Sequence, residues 1–219
     1  MSVIEPGDVS LIVIAKAPAP GLAKTRLIPD LGAEGAARVA AASLADTLWA
    51  VAETPAARRI LVLDGDPAAA EWLPREPGRQ FEVVPQRSGG LGERLAGAFA
   101  DSGAAPALLV GMDTPQISAS LLAGAMATLC DDGTEAVLGP AADGGWWAIG
   151  FRTEQPGAFH GVPMSADDTC EHQRRRLGEL GLRVTELEQL RDIDTVGDAR
   201  AVAAVVPWTR MAAALREVT

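Results

Sequence analysis

The chain has 219 residues, 48% of them hydrophobic, and a formal net charge of −10. That length and apolar fraction suit one sizeable core. The acidic balance, with no basic tract interleaved with aromatics, argues against general nucleic-acid binding but leaves room for a local basic pocket holding a small anion. Cys130 and Cys170 belong to no CxxC pattern, and His160 and His172 lack metal-ligand spacing. A disulfide framework, a zinc site and a Cys/His or Ser/His nucleophile pair are therefore not expected. The N-terminus is acidic and has no apolar signal-like stretch, and no window approaches the roughly 18 consecutive apolar residues of a membrane span. A cytoplasmic protein is expected.

The first strand covers about residues 9 to 15. It empties into a loop, APAPGLAKTRL, that carries Lys16 at its start and Lys24, Thr25 and Arg26 near its end. The GxxxxGK[ST] spacing of a P-loop is absent. Residues 34 to 52 are alanine-rich with Leu44, Leu48 and Val51 at helical spacing. A second strand spans 58 to 63 and ends in Asp64-Gly65-Asp66. A short helical turn is expected over 67 to 72, and a third strand over 81 to 84. Gly89, Gly90 and Gly92 then surround a helix start whose apolar stripe is Leu91, Leu95, Ala98 and Phe99.

A fourth strand, 107 to 110, ends in Gly111-Met112-Asp113-Thr114-Pro115. Ser118 is placed to cap the next helix. A fifth strand, 135 to 138, leads to Gly139-Pro140 and Asp143-Gly144-Gly145-Trp146-Trp147, with 148 to 151 strand-like. Residues 166 to 180 read as a helix and 182 to 184 as a short strand. Thr195, with Asp198 three residues on, gives a capping box for the last helix, which Pro207 interrupts. Alternating strands and helices predict an α/β fold with a mainly parallel sheet covered by helices on both faces. No repeat or linker interrupts the pattern, so residues 1–219 read as one domain.

Cations (Lys16, Lys24, Arg26), single carboxylates (Asp113, Asp194) and paired glycines recur at predicted strand ends, where open α/β sheets bind ligands. Two fixed cations suit a polyphosphate. Mg²⁺ is typically held by one or two carboxylates plus phosphate oxygens, a role open to Asp113 and Asp194. Each also has a plain alternative, Asp113 in a turn before Pro115 and Asp194 near a helix N-terminus. Asp64-Gly65-Asp66 is a literal DxD but reads as a tight turn. Arg174, Arg175 and Arg176 read as a solvated helix face. Gly144 and Gly145 let backbone approach a ligand closely, and an indole beside them can wall an acceptor pocket. Trp146 is expected in the core.

KAPAPGLAKTRL (16–27), the QxxxGLGERL run (86–95), GMDTP (111–115), GPAADGGWWAIGF (139–151) and DIDT (192–195) occur in this order. Together they resemble the bacterial glycosyltransferase-A-like, or DUF2064, family over residues 10 to 200. That family is related to phospholactate guanylyltransferases and, more distantly, to molybdopterin guanylyltransferases. The resemblance implies a GT-A, nucleotide-diphospho-sugar-transferase-like fold. It also implies Mg²⁺ or Mn²⁺ on Asp113 and Asp194, with phosphates on the loop of Lys24 and Arg26. The candidate substrate-binding set is Lys16, Gly21 and Arg26, then Gly90, Glu93 and Arg94, then Asp143, Gly144, Gly145 and Trp147. Lys24 and Asp113 are the candidate catalytic pair. Two positions depart from the family pattern: Gly90 stands where an aspartate is usual, and Trp146 where a tyrosine is usual.

Three functions follow. Nucleotidyl transfer from an NTP to a small phosphorylated acceptor fits the basic loop, because a triphosphate carries more charge than a nucleotide sugar. Glycosyl transfer from a nucleotide sugar would use Asp143 or Glu93 as base, but a DxD enzyme should carry Asp at position 111, where Gly111 stands. A non-catalytic nucleotide-binding protein is the third. The partners expected are a nucleotide and a small acceptor, with no nucleic acid and no membrane span.

Overall fold

A computed structural model describes residues 4–66, 78–103 and 105–219. The expected helical turn at 67 to 72 lies outside the described residues. Seven strands form one sheet: β1 (Ser10–Lys16), β2 (Arg59–Asp64), β3 (Glu82–Pro85), β4 (Ala107–Val110), β5 (Ala136–Pro140), β6 (Trp146–Phe151) and β7 (Val184–Glu186). Their order is β3-β2-β1-β4-β6-β5-β7. Only β6 runs antiparallel to its neighbours, β4 and β5. The other pairs are parallel, so the mainly parallel α/β expectation holds.

Helices cover both faces. On one side α1 (Ile28–Glu53) and α3 (Ala119–Cys130) pack on Leu11, Val13, Leu61, Leu63, Leu108 and Val110. On the other, α2 (Leu91–Ser102) and α4 (Thr169–Glu179) pack on Ile12, Ile60, Val62, Leu109 and Ile149. Alternate residues of β1 thus supply both cores, as the period of a pleated strand requires. A third cluster joins Leu27, Ala36 and Val39 to Ile193, to α5 (Val196–Val205) and to α6 (Arg210–Val218).

Helix starts follow local chemistry. Ser118 Oγ accepts the Leu121 amide at 3.2 Å. Thr195 and Asp198 form the expected capping box, with Thr195 Oγ1 accepting the Asp198 amide at 3.2 Å and Asp198 Oδ2 accepting the Thr195 amide at 3.0 Å. Helix α1 begins six residues before its expected start, because Pro29 opens it and Gly32 (φ +70°) kinks it rather than ending it. No helix among the described residues is long and apolar enough to cross a membrane.

The chain leaves β1 toward β2 and β3, then returns to place β4 on the other side of β1. The carboxyl ends of β1 and β4 therefore diverge at a topological switch point, where this class of sheet opens a crevice.

Candidate active site

A cleft of about 680 Å³ opens at that switch point. Lys16 ends β1, and its amide is held by Met112 Sδ at 3.2 Å. The loop that follows turns back through Gly21 (φ +76°) and Lys24, which holds a left-handed backbone (φ 47°, ψ 48°). Leu27, fully buried, then pins the loop into the third cluster. Facing it, Ile193 enters the same cluster, and its amide donates to the Asp113 carbonyl at 3.0 Å. That bond docks the DIDT segment against the end of β4. Ile193 points inward, while Asp192 and Asp194 on either side of it stay partly exposed. Oxygens of Asp113, Asp192 and Asp194 lie within 4.8 Å of one another.

Lys24 lies across this triad. Its ammonium donates to Asp113 Oδ2 and to Asp194 Oδ1, both at 2.7 Å, with only 11% of the side chain exposed. Arg26 donates to Asp194 Oδ2 at 2.8 Å while remaining 73% exposed. Burial alone would push the Lys24 pKa down, but the two carboxylates outweigh it and hold it above the ordinary lysine value. Burial raises the Asp194 carboxyl, and Lys24 and Arg26 more than reverse that. Asp192 makes no such pair. Burial, reinforced by Asp113, Asp143 and Asp194, pushes its carboxyl up to about 6.

The three carboxylates fit a divalent cation, which prefers hard oxygen ligands. The ammonium bridging two of them already marks the place as one that holds positive charge. The sign for Asp192 follows from linkage. Its folded carboxyl binds a proton that the unfolded one, near 3.8, does not, so its ionised form lowers stability fully above about pH 6 and not at all below about pH 4. Metal-free Asp192→Asn is expected to be more stable than the parent at pH 7.5. That gain should fade between pH 6 and 4 in urea unfolding. A gain independent of pH would contradict the assignment.

Of the residues expected at the site, Lys16, Lys24, Arg26, Arg94, Asp113, Asp143, Gly145, Trp147 and Asp194 line the cleft. Gly21, Gly90, Glu93 and Gly144 stand outside its lining. Glu93 turns its carboxylate back onto the Gly90 amide at 2.8 Å, capping α2, so it does not face the cleft as a base. Asp143 likewise accepts the Gly145 amide at 2.8 Å but remains exposed beside the opening. Gly144 (φ +89°) lets the turn press on the following loop, since a β-carbon there would lie 1.7 Å from the Asp167 carbonyl. Arg94 is oriented by Gln86, whose Oε1 accepts from it at 3.1 Å while its amide nitrogen donates to the Ala15 carbonyl at 2.7 Å.

Both tryptophans reach the cleft, and Trp146, expected in the core, is the less buried of the two. Trp147 is 2% exposed and joins the core on the α1 and α3 side, its indole donating to the Glu188 carbonyl at 3.0 Å. Trp146 packs partly against the other core and faces the cleft. The cause is a register shift between Gly139 and Pro140, where Trp147 becomes the extra residue opposite the partner strand. Such a bulge sends the preceding side chain to the other face. Sequence reasoning also passed over Asp192. Its signal was the alternation in Asp192-Ile193-Asp194, which aims both carboxylates the same way once Ile193 is buried.

Outside the cleft, Asp64 pairs with Arg94 at 3.5 Å rather than joining the triad. Arg174 pairs with Glu186, and Arg176 donates to the Gly157 carbonyl at 2.9 Å. Those arginines tie α4 to its surroundings.

Solved structures share this architecture. A Desulfovibrio desulfuricans G20 protein, assigned by name to the nucleotide-diphospho-sugar transferases, superposes with a TM-score of 0.84 at 28% identity, over 98% of this chain and 95% of its own. Two others share the fold: Rv0371c of Mycobacterium tuberculosis H37Rv, solved as a complex with manganese (TM-score 0.51, 21% identity, 89% and 97% of the two chains), and the 2-C-methyl-D-erythritol 4-phosphate cytidylyltransferase of Thermus thermophilus (TM-score 0.54, 19% identity, 91% and 99%). No curated sequence relative matches the chain. The family model described as uncharacterized protein conserved in bacteria, DUF2064, matches residues 47–166, more than half the chain and the part that bears Arg94, Asp113 and the glycine turn, and the chain belongs to that family.

Proposed function

We propose that the chain is a metal-dependent nucleotidyltransferase that moves a nucleotidyl group from an NTP to a small acceptor. The observation that carries this reading is the apposition of a cationic loop and a carboxylate triad at one switch point, joined by Lys24. A divalent ion held by Asp113, Asp192 and Asp194 would neutralise phosphate charge and polarise a phosphoryl oxygen. Lys24 and Arg26 would bind the β- and γ-phosphates, and Lys16 would add a third charge at the end of β1. An acceptor oxygen attacks the α-phosphorus in line, one P–O bond forms, the bond to the bridging oxygen breaks and pyrophosphate leaves. Such a displacement relies on positioning and charge more than on a protein nucleophile, in keeping with the lack of a nucleophile–base pair among the lining residues. The cytidylyltransferase and manganese-complex names among the fold relatives support it.

A second reading, glycosyl transfer, draws on other carboxylates of the same cleft. Asp143 and Asp167 line it together with Trp146 and Met164. An acceptor hydroxyl would find in them two carboxylates able to take its proton. The name of the Desulfovibrio relative agrees with this reading. A thermal-shift panel with Mn²⁺ separates the two, because a ligand that binds the native state raises its midpoint. A rise with one nucleoside triphosphate alone is expected. A rise with sugar nucleotides alone would replace the first reading by the second, and no rise with either would leave a binding site without its donor.

A further inference from the structure

Lys24 holds two of the three carboxylates that would hold a metal. Its ammonium lies 2.7 Å from one oxygen of Asp113 and 2.7 Å from one of Asp194, and both carboxylates belong to the triad. A divalent cation binds carboxylate oxygens at about 2.0–2.6 Å. Two cations cannot hold the same oxygens at those distances without strong mutual repulsion. We propose that Lys24 is the resident cation of the triad and exchanges with the divalent ion, so that metal and polyphosphate bind together far better than either binds alone. The inference rests on the triad being the metal site.

The coupling follows from burial. Lys24 is 11% exposed, and an ammonium in such a place must keep a partner. Metal alone would displace it and leave it without one. Polyphosphate alone would draw it away, leaving Asp113 without its cation and Asp194 with Arg26 alone. The two ligands together satisfy every charge: the metal takes the carboxylates and the phosphates take Lys24. Reciprocity then requires that each ligand tighten the other by the same factor.

The movement asked of the loop is small. Lys24 holds a left-handed backbone, which non-glycine residues seldom adopt. Ala23 beside it is buried, with its amide donating to the Ala19 carbonyl at 3.3 Å, and Leu27 is fully buried at the far end. The backbone is held on both sides of Lys24, so the exchange needs only its side chain to swing from the carboxylates toward the phosphates.

The test is Mn²⁺ binding by calorimetry to the full chain, with no nucleotide, in the parent and in Lys24→Met, Lys24→Gln and Asp113→Asn. Both Lys24 variants are expected to bind Mn²⁺ at least tenfold tighter than the parent, and Asp113→Asn to lose binding. In the parent, saturating Mn²⁺ should also speed acetylation of Lys24, read by mass spectrometry, which requires no variant to fold. With tripolyphosphate as probe, the parent's midpoint should rise more for both ligands together than for the sum of each, and the Lys24 variants should lose that excess. If Lys24→Met and Lys24→Gln bind Mn²⁺ no tighter while Asp113→Asn loses it, the exchange is wrong and the metal site stands. If Asp113→Asn binds Mn²⁺ like the parent, or if no form binds it, the metal site and the exchange fall together.

Discussion

Asp113→Asn is expected to abolish metal-dependent turnover and to weaken Mn²⁺ binding by at least about 100-fold. Groups that merely orient a metal's ligands already change affinity by about 10–100-fold, and Asp113 is placed as a ligand itself. The fold should survive. The side chain is 34% exposed, the bond that docks the DIDT segment uses the Asp113 backbone carbonyl, and Lys24 keeps Asp194 as its partner. Calorimetry with Mn²⁺, beside circular dichroism for the fold, checks both halves. Full metal-dependent turnover by the purified variant would show that Asp113 holds no metal.

Trp147→Ala is expected to destabilise the protein by about 3–5 kcal/mol, the range for truncating a buried aromatic side chain. The indole is 2% exposed, and its one polar group is satisfied by the Glu188 carbonyl. It also packs against Gly139, where a β-carbon would come within 2.5 Å of the ring. Trp146→Ala should cost much less, since that side chain is only partly buried, and should instead alter what the cleft accepts. Urea unfolding of the two variants reads the difference, and a larger loss for Trp146 would reverse the placement of the pair.

The sequence foretold those parts of the fold whose causes are local. The fourth strand has the expected bounds, and Ser118 and Thr195 cap their helices, because a capping side chain reaches only three residues along its own chain. Lys24, Asp113 and Asp194 were named from strand-end placement, and the switch point brings them together. What escaped was decided by partners far along the chain. The exposure of Trp146 to the cleft depends on a register shift against β5, which the local pattern of 146 to 151 does not contain. Glu93 reads equally well as a base or as a helix cap, and only the position of the Gly90 amide decides. Asp192 comes to face Asp113 and Asp194 through the burial of Ile193 in the cluster of Leu27, across the length of the chain.

The missing side chain at Gly144 has a consequence for how this family can diversify. The turn it belongs to abuts the Asp167 carbonyl, and the Gly144 carbonyl accepts the Cys170 amide at 2.8 Å. Any larger residue would pry that wall of the cleft from its support, so mutation there is penalised before it can be useful. Leu22, Trp146 and Met164 line the same opening without such a constraint. Inherited changes in substrate range should accumulate at those three positions, around a glycine that stays the same.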